Sequence, residues 1–171
     1  MACSMTFSIV VRVGVLVVGA AAGLFGADAI QWGTAENGLR LGIEATSNKE
    51  PGWRVVLKNA SPVTQEVAIG HQDHDIFYSV RFVAVDRHGK KVDVFDLNAL
   101  KRAPSDIGPG PAKFAVLEPG GVQEFTYPMS QLIGVVNGKD TQISRLGNQG
   151  YTIHAIFDFH DTAAVSGDLS F

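Results

Sequence analysis

The side chains best suited to chemistry sit together at His71-Gln72-Asp73-His74-Asp75. Imidazoles and carboxylates this close offer nitrogen and oxygen donors to zinc or copper. His71, Asp73 and His74 are the candidate ligands. The spacing matches no established metal signature, and the alternative is a polar loop joining two strands with its histidines in solvent. The other histidines are His88, His154 and His160. On a strand, His154, Asp158 and His160 share one outward face. At the usual rise His154 and His160 stand about 20 Å apart, too far for one metal or one dyad. Asp158 and His160 stand about 6.6 Å apart and can pair.

Patterns for nucleophilic or phosphate chemistry are absent from the sequence. It has no G-x-S-x-G elbow, no H-E-x-x-H helix and no glycine-rich phosphate loop. The stretch from Gly108 to Pro111 lacks the lysine and the following helix of such a loop. Asp73 with Asp75, and Asp93 with Asp96, have the chemistry for acid–base work, but without an inferable cleft they read as loop and turn residues. Asn59-Ala60-Ser61 matches a glycosylation triplet and is read as chance. Trp32, Trp53 and Tyr78 could stack on carbohydrate. Trp53 alternates with Val55 and Leu57, which assigns it to a core.

The elements that must position these residues read as strands. Leu39, Leu41, Ile43 and Ala45 alternate with Arg40, Gly42, Glu44 and Thr46, the period of a half-buried strand. Trp53, Val55 and Leu57 alternate with Arg54 and Lys58 after a polar turn ending in Pro51-Gly52. Glu66 to Ile69 forms a short continuation. Ile76 to Asp86 is apolar on both faces, which predicts a central strand. A hairpin loop at Asp86 to Lys90, with Gly89 free to take positive φ, leads to a return strand at Val92 to Phe95. Prolines and glycines make Leu97 to Lys113 a long loop. Phe114 to Leu117, Val122 to Tyr127, Tyr151 to Phe159 and Val165 to Phe171 complete the set. Met129 to Gly147 is ambiguous: Ser130 can cap one helical turn to Ile133, and Asn137-Gly138 marks a turn. About seven to nine strands at this spacing predict an all-β sandwich.

The first segment is of another kind. Arg12 is the only charge before Asp28. The apolar stretch from Val13 to Phe25, about 13 residues, is short for a membrane span, which needs about 20. Ala27-Asp28-Ala29 then supplies a small-x-small site. These are the parts of a secretory signal, so residues 1–29 are expected to be a cleaved signal peptide and 30–171 one domain. Cys3, the chain's one cysteine, falls inside that signal. The exported domain must hold together by burial alone, which points to a bacterial route. A net charge of −3 argues against a phosphate-binding surface and so against nucleic acid.

Leu117-Glu118-Pro119-Gly120-Gly121, then Phe125, then Gly150-Tyr151-Thr152-Ile153-His154-Ala155 resemble a turn and a later strand of bacterial immunoglobulin-like domains. In this respect the chain is similar to the intracellular proteinase inhibitor (BsuPI-like) family. The resemblance implies an immunoglobulin-like antiparallel sandwich, with Tyr151, or second Tyr127, bonding backbone at a corner. It does not carry protease inhibition here, because the interval from Pro128 to Asn148 lacks the family's aspartate-rich turn with a tryptophan. The expectation is therefore an exported, periplasmic or extracellular, non-catalytic module. It would need no cofactor, bind an unknown protein or cell-surface partner, and leave the membrane once the signal is cleaved. The competing expectation is a periplasmic metal-binding protein using His71, Asp73 and His74.

Overall fold

The structure, a computed structural model, describes residues 29–46, 50–71, 80–97, 112–136, 138–146, 150–159 and 162–171. These residues form an all-β fold with the strands β1 (Gln31–Trp32), β2 (Leu39–Thr46), β3 (Gly52–Asn59), β4 (Gln65–His71), β5 (Val80–Val85), β6 (Lys91–Asp96) and β7 (Ala112–Leu117). They continue with β8 (Val122–Pro128), β9 (Leu132–Val136), β10 (Lys139–Gln142), β11 (Thr152–Phe159), β12 (Thr162–Val165) and β13 (Leu169–Ser170). Every pairing among them is antiparallel. One sheet runs β1-β2-β3-β8, and a second runs β10-β9-β6-β5-β11-β12 with β13 also on β11. β4 and β7 pair as a separate ribbon.

Period-two alternation decides which side of each sheet is dry. Leu39, Leu41 and Ile43 of β2 share a face with Trp53, Val55 and Leu57 of β3 and Phe125 and Tyr127 of β8, and all are buried. From the second sheet Val80, Phe82 and Ala84 meet them, with Ile153, Ala155 and Phe157. Trp53 lies 5.3 Å from Phe82 between ring centroids, and Phe125 lies 6.4 Å from Phe157. Two open sheets packed face to face, not a closed barrel, is an arrangement consistent with a β-sandwich. Each fully buried aliphatic or phenyl side chain contributes about 1.5–3 kcal/mol of transfer free energy, and this is the main favourable term.

β5 takes the central place its two apolar faces predict, between β6 and β11. The turn after it is built by Asp86, whose Oδ1 accepts the His88 and Lys90 amides at 2.8 and 2.9 Å while Gly89 sits at φ 81°. These bonds, with Lys90 first, hold the Asp86 carboxyl below its usual range.

Four expectations change. Thirteen strands form among the described residues where about seven to nine were expected, because short strands such as β1, β10, β12 and β13 carry too little alternation to be read from the sequence. The helical turn expected from Ser130 to Ile133 is a 3-10 turn at Met129–Gln131, and Leu132 starts a strand. β9 and β10 form a hairpin that extends the second sheet beyond β6. Burial of Leu132 and Ile133 favours the extended form there. Ala112 and Lys113, expected in the long loop, belong to β7, while 98–111 lie outside the described residues. The strand expected from Val165 to Phe171 is interrupted. The Ser166 amide still donates to the Ala155 carbonyl at 2.9 Å, but its hydroxyl, not a backbone carbonyl, accepts the Ala155 amide at 2.8 Å. The Gly167 amide donates to the Gln31 carbonyl at 3.1 Å, which ties the second sheet to β1.

Candidate functional site

At that junction the edges of the two sheets leave a cleft of about 510 Å³, walled by Trp32, Glu36, Arg40, Val165, Ser166 and Asp168. A second cleft of about 300 Å³ is lined by Arg40, Lys58, Asn59, Ser61 and Gly120. Arg40 belongs to both and stands between them.

The position of Arg40 follows from the strand period and register. Arg40, Gly42 and Glu44 face outward from β2 because Leu39, Leu41 and Ile43 face the core. Across the sheet Arg40 is opposite Lys58, and Lys58 is opposite Val122. Gly42 is opposite both Trp32 and Val56. A Cβ on Gly42 would lie 2.7 Å from Trp32 Cε3, so the absent side chain lets the indole lie down on the sheet. The Arg40 guanidinium stands over that indole, 5.5 Å from its centroid. Its Nε donates to the Gly33 carbonyl at 2.8 Å. One stacked face and one hydrogen bond fix the guanidinium and leave its Nη groups free of any partner among the described residues.

Charge balance on this outer face is uneven. Arg54 is held by the Glu44 and Glu124 carboxylates, and the Glu44 hydrogen bond leads in raising its pKa. Among the described residues no carboxylate comes within 4.0 Å of Arg40 or Lys58. Two like charges directly opposite on one face cost about 0.2–1 kcal/mol. In the larger cleft Asp168 Oδ1 lies 3.4 Å from His154 Nδ1.

The smaller cleft has a rigid floor. Asn59 is wholly buried, and its Nδ2 donates to the Val63 and Leu117 carbonyls at 2.7 and 2.8 Å. Its Oδ1 accepts from the Ser61 amide and hydroxyl at 2.9 and 2.7 Å. The Gly120 amide donates to the Asn59 carbonyl at 2.9 Å, and the Ala60 amide to that of Gly38 at 2.7 Å. The glycosylation triplet is thus a structural knot, with its asparagine sealed from solvent.

Of the candidate metal ligands, His71 is the last residue of β4, with its backbone opposite Ala112. Asp73 and His74 lie outside the described residues. Among the described residues no three His, Cys, Asp or Glu side chains converge on a metal position. His154 and Asp158 lie on the outward face of β11, as the period predicts, but His154 faces Asp168 of the β12–β13 connection. His160 lies outside the described residues. Trp53 is a core residue, and Trp32 lines the larger cleft. Tyr151 stands buried just before β11, and its hydroxyl makes no hydrogen bond with the described residues.

Sequence reasoning missed Arg40 and Lys58. Each reads as the polar half of an alternation, and they are far apart along the chain. The available signal was the polar stretch from Ser47 to Gly52 between two alternating runs, which implies an antiparallel pair; the register then sets Arg40 opposite Lys58. No family model and no curated protein matches this sequence, so the likeness to intracellular proteinase inhibitors gains no support from them.

Proposed function

We propose that this protein is an exported, non-catalytic binding module on an immunoglobulin-like sandwich, acting in the periplasm or outside the cell on a protein or cell-surface partner. The strand order supports the fold reading. In an immunoglobulin domain strands A, B and E face G, F, C and C′. Here β2-β3-β8 faces β12-β11-β5-β6. β7 falls where strand D would, though it pairs with β4, and β9–β10 is an addition beyond C′.

The observation that carries the interaction reading is the outer face of β7. Phe114 and Val116 are 54% and 65% exposed, two residues apart on one strand face, beside Ala68 and Glu66 of β4. An exposed phenyl next to an exposed branched side chain on a paired strand is what a docking surface supplies. A photo-crosslinking residue in place of Phe114, in cells making the full chain, should yield a discrete adduct in the exported fraction. Mass spectrometry of that fraction should find Ile30 at the N-terminus. An N-terminus at Met1 refutes export by cleavage, and no adduct at Phe114 refutes the surface.

A further inference from the structure

We infer that the Arg40–Lys58 row on the outer face of β2 and β3 is a second contact site, which grips a glutamate or aspartate carboxylate of a protein partner. It rests on the reading above only in taking the partner to be a protein. Three observations carry it. The guanidinium is already positioned by Trp32 and the Gly33 carbonyl, so little freedom is lost when a ligand arrives. Its Nη groups remain free of the described residues and have the planar fork that a carboxylate matches. Lys58 lies directly across the ladder and adds a second cation, and among the described residues neither cation has a carboxylate within 4.0 Å.

The surroundings select among anions. A phosphate cradle needs converging free amides. Here the amides of Asn59, Ala60, Ser61 and Gly120 all donate to acceptors of the protein: the Gly121 and Gly38 carbonyls, Asn59 Oδ1 and the Asn59 carbonyl. A sugar ring needs an open aromatic face, but Trp32 has the sheet at Gly42 on one side and Arg40 on the other. Val122, 49% exposed and opposite Lys58, instead offers an apolar neighbour to the next side chain of a peptide. Glu36 and Asp168 line the cleft on the other side of Arg40, so an acidic chain enters from the Lys58 side.

The test is a titration of the purified protein with a fluorescent decapeptide of alternating glutamate and valine, with the glutamine–valine analogue as control. The acidic peptide should bind saturably and lose affinity as salt is raised. Arg40→Ala should weaken it at least about tenfold, the size of one charge-assisted hydrogen bond. Arg40→Lys, which keeps the charge and loses the fork, should recover only part, and Lys58→Ala should weaken binding by a smaller factor. Both side chains are on the surface, so the variants should keep the parental circular dichroism spectrum. No saturation, or binding unchanged in Arg40→Ala, overturns the site. So does Arg40-dependent binding of polygalacturonate or inorganic phosphate in place of the peptide. The double variant Phe114→Ser with Val116→Ser should bind the peptide normally. If it does so while the Phe114 adduct is missing, the β7 surface fails and the Arg40 site stands.

Discussion

Two buried side chains with opposite hydrogen-bonding fates show how single residues set the stability of this sandwich. Asn59 uses both ends of its amide in a buried knot that joins β3 to the start of β4 and the end of β7. Asn59→Ala should cost about 2–4 kcal/mol in urea unfolding, because buried carbonyls lose their donor and nothing replaces it. A cost below that of an ordinary surface change would refute the knot. Tyr127 is the opposite case: its hydroxyl is buried with no partner among the described residues, as is Trp53 Nε1. Tyr127→Phe should therefore stabilise the protein at neutral pH by about 1 kcal/mol. Burial first, and the Asp96 charge second, raise its phenol pKa far above the ordinary 10.0. The unfolded chain releases that proton near pH 10 and the folded chain does not, so rising pH favours unfolding above that point. This share of the alkaline loss should vanish in Tyr127→Phe. Identical alkaline limbs in the two proteins would sink the assignment.

At the scale of elements, β1, one of two strands of only two residues, has a large consequence. Its two residues pair with β2 through Gln31–Ile43 and Trp32–Gly42, and its backbone also meets the β12–β13 connection. Gly42 makes room for this, since a Cβ there would lie 2.4 Å from Ile30 Cγ2 and 2.7 Å from Trp32 Cε3. Gly42→Ala should cost about 1–3 kcal/mol as an overpacked contact and lift the indole from the sheet. Trp32 fluorescence should then shift and acidic-peptide binding should weaken, although Arg40 itself is intact. Unchanged emission and affinity would show that the indole does not position the guanidinium. Sequence alternation makes β2, β3, β6, β8 and β11 legible because one face of each is buried and the other wet. It fails at β9 and β10, where Gly134 interrupts a short apolar run and Lys139 to Gln142 has no apolar face to detect. It fails again at Ser166, where a side chain replaces a ladder partner, since such a bond depends on the neighbouring strand. The Arg40–Lys58 pairing is hidden for the same reason: register is a property of two strands, and each strand alone shows only an ordinary outward cation.

For the whole molecule, cohesion depends on contacts between sheets rather than within them. No cysteine follows Cys3, so no disulfide joins the described residues, and the ladders alone leave each sheet with an exposed apolar face. Trp53 bridges the two layers. It sits on β3 with no exposed surface, packs on Phe82 of β5 at 5.3 Å, and meets Phe171 edge-on at 5.4 Å. Phe82 in turn meets Tyr127 of β8 at 4.9 Å, so the aromatic chain crosses between the sheets twice. If this contact couples the layers, Trp53→Ala should cost about 3–5 kcal/mol, a large part of the 5–15 kcal/mol typical of a domain. The loss should come as one transition, with near-UV and far-UV dichroism falling together, and reductant should change neither curve. Separate transitions for tertiary and secondary signals would mean that one sheet survives without the other. The layers would then be independent, and the Arg40 site, formed where β1 and β2 of one sheet meet the β12–β13 connection of the other, would lack the rigid frame that holds its guanidinium in place.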